Sequence, residues 1–333
     1  MSYESMTENR VCCNLCHHQC KIHEGKRGIC GVRENWGGKL YSLVYGKIIA
    51  EHVDPIEKKP LFNFLPGSKA FCIGTVGCNF RCKHCQNFDI SQYPHEHGGK
   101  IVGQDRTPER IVASAKAAGC ATIAYTYTEP TIFYEFAYDT TILAQKEGIK
   151  NVFVSNGYMS PEAARQIGPY LDAINIDLKA FTDKFYKEVC GARLKPVLRM
   201  IQLMKELGVW VEVTTLIIPG LNDGDQELRD IARFVKSIGP DIPWHVTQFY
   251  PTYKLLDRPR TPVAALRRAR EIGIEEGLRY VYEGNVPGEG GENTYCYACG
   301  GVLIERYGLK LMRNHLRDGK CPECGAQIDG AGL

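Results

Sequence analysis

The stretch GTVGCNFRCKHCQN, residues 74–87, puts Cys78, Cys82 and Cys85 within eight positions, separated only by polar or basic residues and Phe80. The apolar run that leads into it, AFCIGTVG (residues 70–77), reads as a β-strand, and Gly77 lets the chain turn sharply out of it. The three thiols therefore sit on a loop that leaves a strand. Four thiolates complete a tetrahedral zinc site or saturate a cubane cluster, whereas three leave one metal position open. A zinc ion here needs a fourth ligand from Cys72, which lies inside the strand, or from His84, which is strained between two ligands.

Downstream, strand-like and helix-like runs alternate. ATIAYTYTEP (121–130), NVFVSNG (151–157), AINIDLK (173–179), VWVEVTTLIIPG (209–220) and WHVTQFYP (244–251) continue the strand series, with RYVYEGN (279–285) as a further candidate. Helices are expected to open at Thr107-Pro108, Ser160-Pro161 and Thr261-Pro262, each pairing an N-cap with a first-turn proline. The class is thus α/β: a parallel sheet with right-handed crossovers, read as a partial (β/α)6 TIM-like barrel, with an open doubly wound sheet as the alternative. Glu129, Ser155, Asn156, Asp177, Lys179 and His245 fall at or near strand C-terminal ends, where such sheets gather their active sites.

Length and composition agree with one barrel-sized domain carrying small appendages: 333 residues, 44% hydrophobic and 24% charged. A net charge of +3 with no basic block argues against a nucleic-acid surface. No apolar run is long enough for a membrane span and the N-terminus lacks a signal-peptide core, so a cytoplasmic protein is expected. In a reducing cytosol the fifteen cysteines point to metal binding and not to disulfides. Three parts are expected: an N-terminal cysteine-rich extension (1–66), the barrel (67–287), and a C-terminal module (288–333) that begins at a Gly-rich boundary.

Cys296, Cys299, Cys321 and Cys324 form two C-x2-C pairs, each followed by glycine, the spacing of a zinc-ribbon-like Zn2+ site. So short a module builds little core, so the metal is expected to supply most of its stability. Cys13, Cys16, Cys20 and Cys30 read as a second zinc site, as ligands of an auxiliary [4Fe-4S] cluster, or as free thiols. His17, His18 and His23 are close enough in sequence to substitute. Cys12, Cys72, Cys120 and Cys190 read mainly as buried small hydrophobes.

C-x3-C-x2-C after the first strand of an apparent partial barrel resembles the signature of the radical SAM superfamily. GCNFRCKHCQN is similar to the branch that contains the pyruvate formate-lyase activating enzyme. With CNLCHHQCKIHEGKRGICGVREN (13–35), PWHVTQFYPTYKLLDRPRTP (243–262) and the terminal YCYACG and CPECG, nearly the whole chain resembles the AmmeMemoRadiSam system radical SAM enzymes. The resemblance implies that Cys78, Cys82 and Cys85 ligate a [4Fe-4S] cluster whose fourth iron binds S-adenosyl-L-methionine. One-electron cleavage then yields methionine and a 5′-deoxyadenosyl radical that abstracts hydrogen.

By the same resemblance Glu129 accepts from the methionyl ammonium, although Tyr127 and Thr128 stand where relatives carry two glycines. Ser155 and Asn156 hold a ribose hydroxyl or the carboxylate. Asp177 and Lys179 contact the cofactor, His245 touches ribose or methionine, His84 lies against adenine, and Asn87 anchors the loop. The run IIPGLND (217–223) matches a strand-end contact to adenine. Each has a plainer reading: an N-cap for Glu129, a turn at Gly157 for the Ser-Asn pair, a structural salt bridge for Asp177 and Lys179, a core histidine for His245, and a proline-glycine turn for 217–223.

Two function classes follow. The first is a radical-generating oxidoreductase, a glycyl-radical-enzyme activase included, acting on a protein or small molecule with a flavodoxin- or ferredoxin-type electron donor. Segments 52–69 and 250–259 would rim its substrate mouth. The second is a metal-binding adaptor for Memo-like and AMMECR-like partners. The open three-cysteine loop together with Glu129, Asp177 and Lys179 favours the enzyme, because an adaptor has no use for that combination.

Overall fold

The computed structural model describes residues 3–333. Eight strands lie side by side in chain order: β1 (Ala50–Pro55), β2 (Lys69–Gly74), β3 (Thr122–Tyr125), β4 (Lys150–Ser155), β5 (Ala173–Asp177), β6 (Trp210–Ile217), β7 (Trp244–Gln248) and β8 (Val281–Gly284). β2 to β8 are parallel, and β1 is an antiparallel edge. Between successive parallel strands run α1 (Pro108–Ala117), α2 (Tyr134–Lys146), α3 (Pro161–Ile167), α4 (Leu194–Glu206), α5 (Asp225–Ile238) and α6 (Val263–Glu275). The architecture is thus a chain of βαβ units on one central sheet.

The six quoted strand runs all form strands, and RYVYEGN supplies β8, so the sheet has seven parallel strands where six were expected. Among the described residues β1 and β8 remain unpaired edges, so no hydrogen-bonded ring closes. Thr107 and Ser160 cap α1 and α3 as the sequence signals, their hydroxyls each accepting a backbone N–H at 3.3 Å. Thr261 does not cap α6. Its hydroxyl instead accepts from Phe249 N and donates to Ile217 O, stitching β6 to the exit of β7, and Pro262 takes the cap position.

The segment between β1 and β2 explains how the sheet is shaped. Ile56, Leu61 and Phe64 pack on Ala70, Cys72, Ala124, Val152 and Ala173, a face kept small so that the segment fits. Phe62 meanwhile packs against His245 of β7 and Tyr282 of β8, ring centroids 4.8 Å apart in both cases. A stretch this short touches both flanks only if the sheet curves around it. Ile56, Leu61 and Phe64 are therefore floor, not rim, although Lys58, Lys59, Pro60 and Phe62 do face the cavity described below.

The C-terminal module is a three-stranded antiparallel sheet, β9 (Thr294–Tyr295), β10 (Val302–Tyr307) and β11 (Lys310–Asn314). Its Leu303, Ile304 and Ile328 join Phe62, Tyr280 and Tyr282 in one buried cluster. Arg306 lies 3.5 Å from Glu57, both side chains fully buried, and donates to Phe62 O at 2.8 Å. The expectation that a metal alone supplies most of this module's stability omits that shared core.

Candidate functional site

At the C-terminal ends of the parallel strands lies a cavity of about 550 Å³. Cys78, Cys82 and Cys85 line it, as do His84, Asn87, Glu129, Ser155, Asn156, Asp177, Lys179 and His245. Apart from the 217–223 run, the residues the sequence nominated for the first metal site and its cofactor thus converge on one space. The 217–223 run does not reach it: Asn222 closes that run as a turn, accepting from Ile218 N and donating to Lys179 O and Leu216 O.

Close backbone approach builds the cysteine loop. A Cβ at Gly74 would stand 2.6 Å from Thr126 O, and one at Gly77, whose φ is +98°, would stand 2.5 Å from Val32 Cγ1. Only glycine fits either position. Arg81 N and Lys83 N donate to Cys190 O and Val189 O, docking the loop on the turn after β5. Lys254 N donates to Lys83 O and Tyr253 stacks on Phe88 at 4.7 Å, so part of the segment expected as a rim covers this loop instead. The Cys85 thiol lies 3.2 Å from Ser91 Oγ, and Asn87 donates to Tyr127 O at 2.7 Å.

Tyr127 has φ +66°, the left-handed conformation that glycine adopts without strain. The substitution for glycine therefore keeps the backbone path. The side chain is tied down in return: its hydroxyl donates to Asp54 at 2.8 Å, and the buried Lys59 ammonium lies 4.6 Å above the ring.

Glu129 is fully enclosed and accepts four hydrogen bonds. Oε1 takes Thr131 N, Thr131 Oγ1 and Ser155 Oγ, while Oε2 takes only Asn156 N, at 2.8 Å. Burial pushes its carboxyl above the ordinary value despite those bonds. The capping reading of Glu129 is present in the bond to Thr131 N, but it occupies Oε1 and leaves Oε2 with the single donor Asn156 N in a residue that lines the cavity.

Asn156 donates to Asn79 Oδ1 at 2.7 Å, linking the end of β4 to the residue after Cys78. Lys179 Nζ pairs with Asp177 at 2.9 Å. Burial disfavours that ammonium, but Asp177 and the neighbouring thiols outweigh it and hold the Lys179 pKa up. Burial, and then Lys179, push His84 down to about 3, so its ring is neutral.

His245 is committed on one side, Nε2 lying 2.6 Å from Glu212. Glu212 also accepts from Phe62 N, Asn63 N and Trp210 Nε1. Its ring stacks with Tyr282 at 5.2 Å, so only part of it faces the cavity. Sequence reasoning missed Glu212, Lys59 and Cys190. A charged residue at the centre of the apolar run VWVEVTTLI was the one available signal, and it marks Glu212.

The outer cysteines also converge. Cys296 and Cys324 sulfurs are 3.6 Å apart, those of Cys299 and Cys321 3.7 Å, and all four lie within 4.8 Å, able to hold one metal. Cys13, Cys16, Cys20 and Cys30 line a separate small apolar cavity.

The model of the Radical SAM superfamily matches residues 72–235, the span from β2 through most of α5. The chain belongs to the radical SAM superfamily. This radical SAM protein is 48% identical over 332 residues to an uncharacterized protein of Methanocaldococcus jannaschii, covering 99% of this chain and 98% of that one. It is 24% identical over 175 residues to the pyruvate formate-lyase 1-activating enzyme of Escherichia coli K12, covering 49% of this chain and 67% of the relative. In fold it is similar to Streptococcus suis SuiB bound to S-adenosylmethionine, with a TM-score of 0.51 at 15% identity, over 68% of this chain and 52% of SuiB.

Membership implies a [4Fe-4S] cluster and S-adenosylmethionine, and the residues fit both. Three thiols border a space large enough for a cofactor, beside a carboxylate oxygen with a single donor and a buried, unpartnered His84 Nδ1. Among the described residues no helix is long and apolar enough to cross a membrane.

Proposed function

We propose that this chain is a radical SAM enzyme of the activating-enzyme type that abstracts a hydrogen atom from a protein or small-molecule substrate. The observation that carries this reading is the convergence of the three loop cysteines with Glu129, Asp177 and Lys179 on one cavity. Cys78, Cys82 and Cys85 would hold three irons. When bound, the cluster and S-adenosylmethionine supply a 5′-deoxyadenosyl radical by one-electron cleavage of the sulfonium.

The chain's own residues position and shield. Glu129, through Oε2, receives the methionyl ammonium, and Lys179, held charged by Asp177, meets a carboxylate or ribose oxygen. Ser155 and Asn156 hold the ribose or carboxylate, His245 offers the free part of its ring, and neutral His84 lies against adenine. Asn87 fixes the loop to Tyr127. Phe62 and the floor beneath it exclude water from below. A groove of about 940 Å³, walled by Tyr250, Val286, Tyr307 and Leu309, shares Phe62, Gln86 and Asn285 with the cavity and is the route for substrate.

The same reading assigns a flavodoxin- or ferredoxin-type electron donor, a cytoplasmic location, and zinc at Cys296, Cys299, Cys321 and Cys324. Parts 1–66, 67–287 and 288–333 act as extension, partial barrel and zinc-ribbon-like module. The resemblance of segments 13–35 and 243–262 and of the terminal cysteine pairs supports a place in the AmmeMemoRadiSam group, with Memo-like and AMMECR-like proteins as partners.

The test is anaerobic reconstitution with iron and sulfide, reduction with dithionite, and assay for 5′-deoxyadenosine. Wild type forms it and Cys82→Ala does not. Deuterium transfer from candidate partners into that product identifies the substrate. A single tetrahedral ion on Cys78, Cys82 and Cys85 in the anaerobic protein would overturn the enzyme in favour of the adaptor.

A further inference from the structure

The loop that carries Cys78, Cys82 and Cys85 has two sides. Its inner side borders the cavity, which Cys82, His84, Cys85 and Gln86 line. Lys83 belongs to the other side: it is exposed and lines neither the cavity nor the groove beside it. Consecutive Cα atoms stand about 3.8 Å apart, so the protein surface at Lys83 is one backbone step from Cys82 and two from Cys85.

Backbone hydrogen bonds bring two more basic segments to that side. Lys83 N donates to Val189 O at 2.9 Å, Arg81 N to Cys190 O at 2.8 Å, and Lys254 N to Lys83 O at 3.0 Å. The Arg81 stem covers Gly191, where a Cβ would meet the Arg81 Cβ at 3.3 Å. Lys187 is exposed on the same short turn as Val189. Tyr253 holds the Lys254 pKa up and Arg81 opposes it, so the two cations are near enough to repel. Of Arg81, Lys83, Lys187 and Lys254, only Lys187 forms an ion pair among the described residues, with Asp183 at 2.7 Å.

Segments 81–87, 183–195 and 251–260 together hold nine basic and three acidic residues, in a chain whose net charge is +3. The rest of the chain is therefore net negative, and the excess positive charge belongs to the segments joined at the cysteine loop. Leu256, two residues beyond Lys254, is 69% exposed, the most of any large apolar side chain among the described residues. An apolar contact with a charged rim is how protein docking surfaces are composed.

We propose that this face is where an acidic one-electron donor protein docks. The proposal rests on the reading that Cys78, Cys82 and Cys85 hold a cluster. A flavodoxin hydroquinone giving up one electron becomes its semiquinone, a reduced ferredoxin becomes oxidised, and the enzyme's site gains that electron with no bond formed or broken. Electron transfer slows steeply with distance, so a donor gains from a surface one residue away from Cys82, approached from outside while cofactor and substrate occupy the inner side. Complementary charge raises encounter rates about 10- to 1,000-fold at low salt. A nucleic acid would meet the same charge but gain nothing from nearness to the thiols.

The test uses full-length reconstituted enzyme and reduced, acidic flavodoxin, with an acidic ferredoxin in a second arm. Stopped flow follows the flavin semiquinone, and carbodiimide cross-links are mapped by peptide mass spectrometry. Lys83→Glu/Lys254→Glu should slow oxidation of flavodoxin at least roughly tenfold at low salt, with the gap closing near 1 M salt, where the screening length is about 3 Å. Reduction by photoreduced, uncharged deazaflavin should keep the wild-type rate. Cross-links should join donor carboxylates to Lys83, Lys187 or Lys254. Should the first variant hold less iron, Lys187→Glu/Lys254→Glu leaves the residues between the thiols untouched and should show the same slowing. Unchanged rates with both donors, or cross-links confined to other lysines, overturn the proposal. So does binding of transfer RNA that these substitutions abolish while neither donor cross-links. Reduction by deazaflavin without formation of 5′-deoxyadenosine would fail the catalytic reading alone, because the docking readouts need no S-adenosylmethionine.

Discussion

Ser155 Oγ donates to Glu129 Oε1 at 2.9 Å, the third hydrogen bond to that oxygen of a buried carboxylate whose Oε2 accepts only from Asn156 N. Burial raises the Glu129 pKa, so the folded state holds that proton more tightly than the unfolded chain. This group's contribution to stability is therefore full below the unfolded carboxylate pKa and lost as pH rises through the raised folded value. Binding of a cation to Oε2 has the opposite dependence. Affinity for S-adenosylmethionine, measured by equilibrium dialysis on reconstituted enzyme, should fall as pH drops through the raised value. Glu129→Gln should weaken binding at least roughly tenfold at neutral pH and flatten that profile. An unchanged profile in the variant would remove Glu129 from the site.

Gly77 is where the cysteine loop meets the N-terminal segment. An alanine methyl there would stand 2.5 Å from Val32 Cγ1 and 3.0 Å from Cys30 O, at a φ of +98°. Gly77→Ala should cost roughly 1–3 kcal/mol in thermal or denaturant unfolding and reduce the iron held after reconstitution. Val32→Ala in the same chain relieves the steric part only, so a partial recovery is expected.

Signals within a few residues of one another were legible in the sequence. The C-x3-C-x2-C loop, the caps at Thr107 and Ser160, and the strand-end positions of Glu129 and Asp177 depend on local chemistry, and the structure has them where local chemistry puts them. What escaped depends on partners far away in the chain. Cys190 reaches Cys82, Phe62 reaches His245 and Tyr282, and Glu212 reaches the backbone of Phe62 and Asn63. No periodicity encodes such meetings. Thr261 failed as a cap for the same reason: Ile217 O and Phe249 N offered its hydroxyl better partners.

Lys59 is 2% exposed, and its ammonium is matched by Asp54 at 2.9 Å. Although burial alone would raise it, Asp54 is held well below the usual carboxylate range by Lys59, Lys58 and Tyr127. Stability from that carboxylate is present above its unfolded pKa and lost as pH falls toward the depressed value. Asp54→Asn leaves a buried ammonium without its counter-charge and should cost about 3–5 kcal/mol. Asp54→Asn with Lys59→Met should recover most of it, since the second change removes the uncompensated buried ammonium and the amide oxygen can still accept from Tyr127. A double variant no more stable than the single would mean that Lys59 does more than balance Asp54.

Cys190, Cys82 and His84 bring ligand atoms within 4.8 Å of one another. In chain stripped of its cluster and treated with diamide, the two thiols should join as a disulfide, diamide taking up the two electrons and two protons released. Peptide mass spectrometry should find that cross-link and reconstitution should fail until dithiothreitol is added. Cys190→Ala should reconstitute without reductant and keep its full iron, because three ligands at the first site remain.

The C-terminal module has two independent attachments, and they fail differently. Removing a metal from Cys296, Cys299, Cys321 and Cys324 releases only the knuckles, two of whose thiols are exposed. A chelator should therefore make these cysteines alkylatable while Leu303, Ile304, Tyr280 and Tyr282 stay packed and the main unfolding transition moves little. Arg306→Ala acts on the other attachment. It leaves Glu57 fully buried without its cation and Phe62 O without a donor, so the whole chain should lose about 3–5 kcal/mol. Glu57 already sits above the ordinary carboxylate value through burial, with Arg306 opposing the shift. The destabilisation should consequently shrink at acid pH, where Glu57 takes up a proton, and a loss that stays constant with pH would count against the buried pair as the joint.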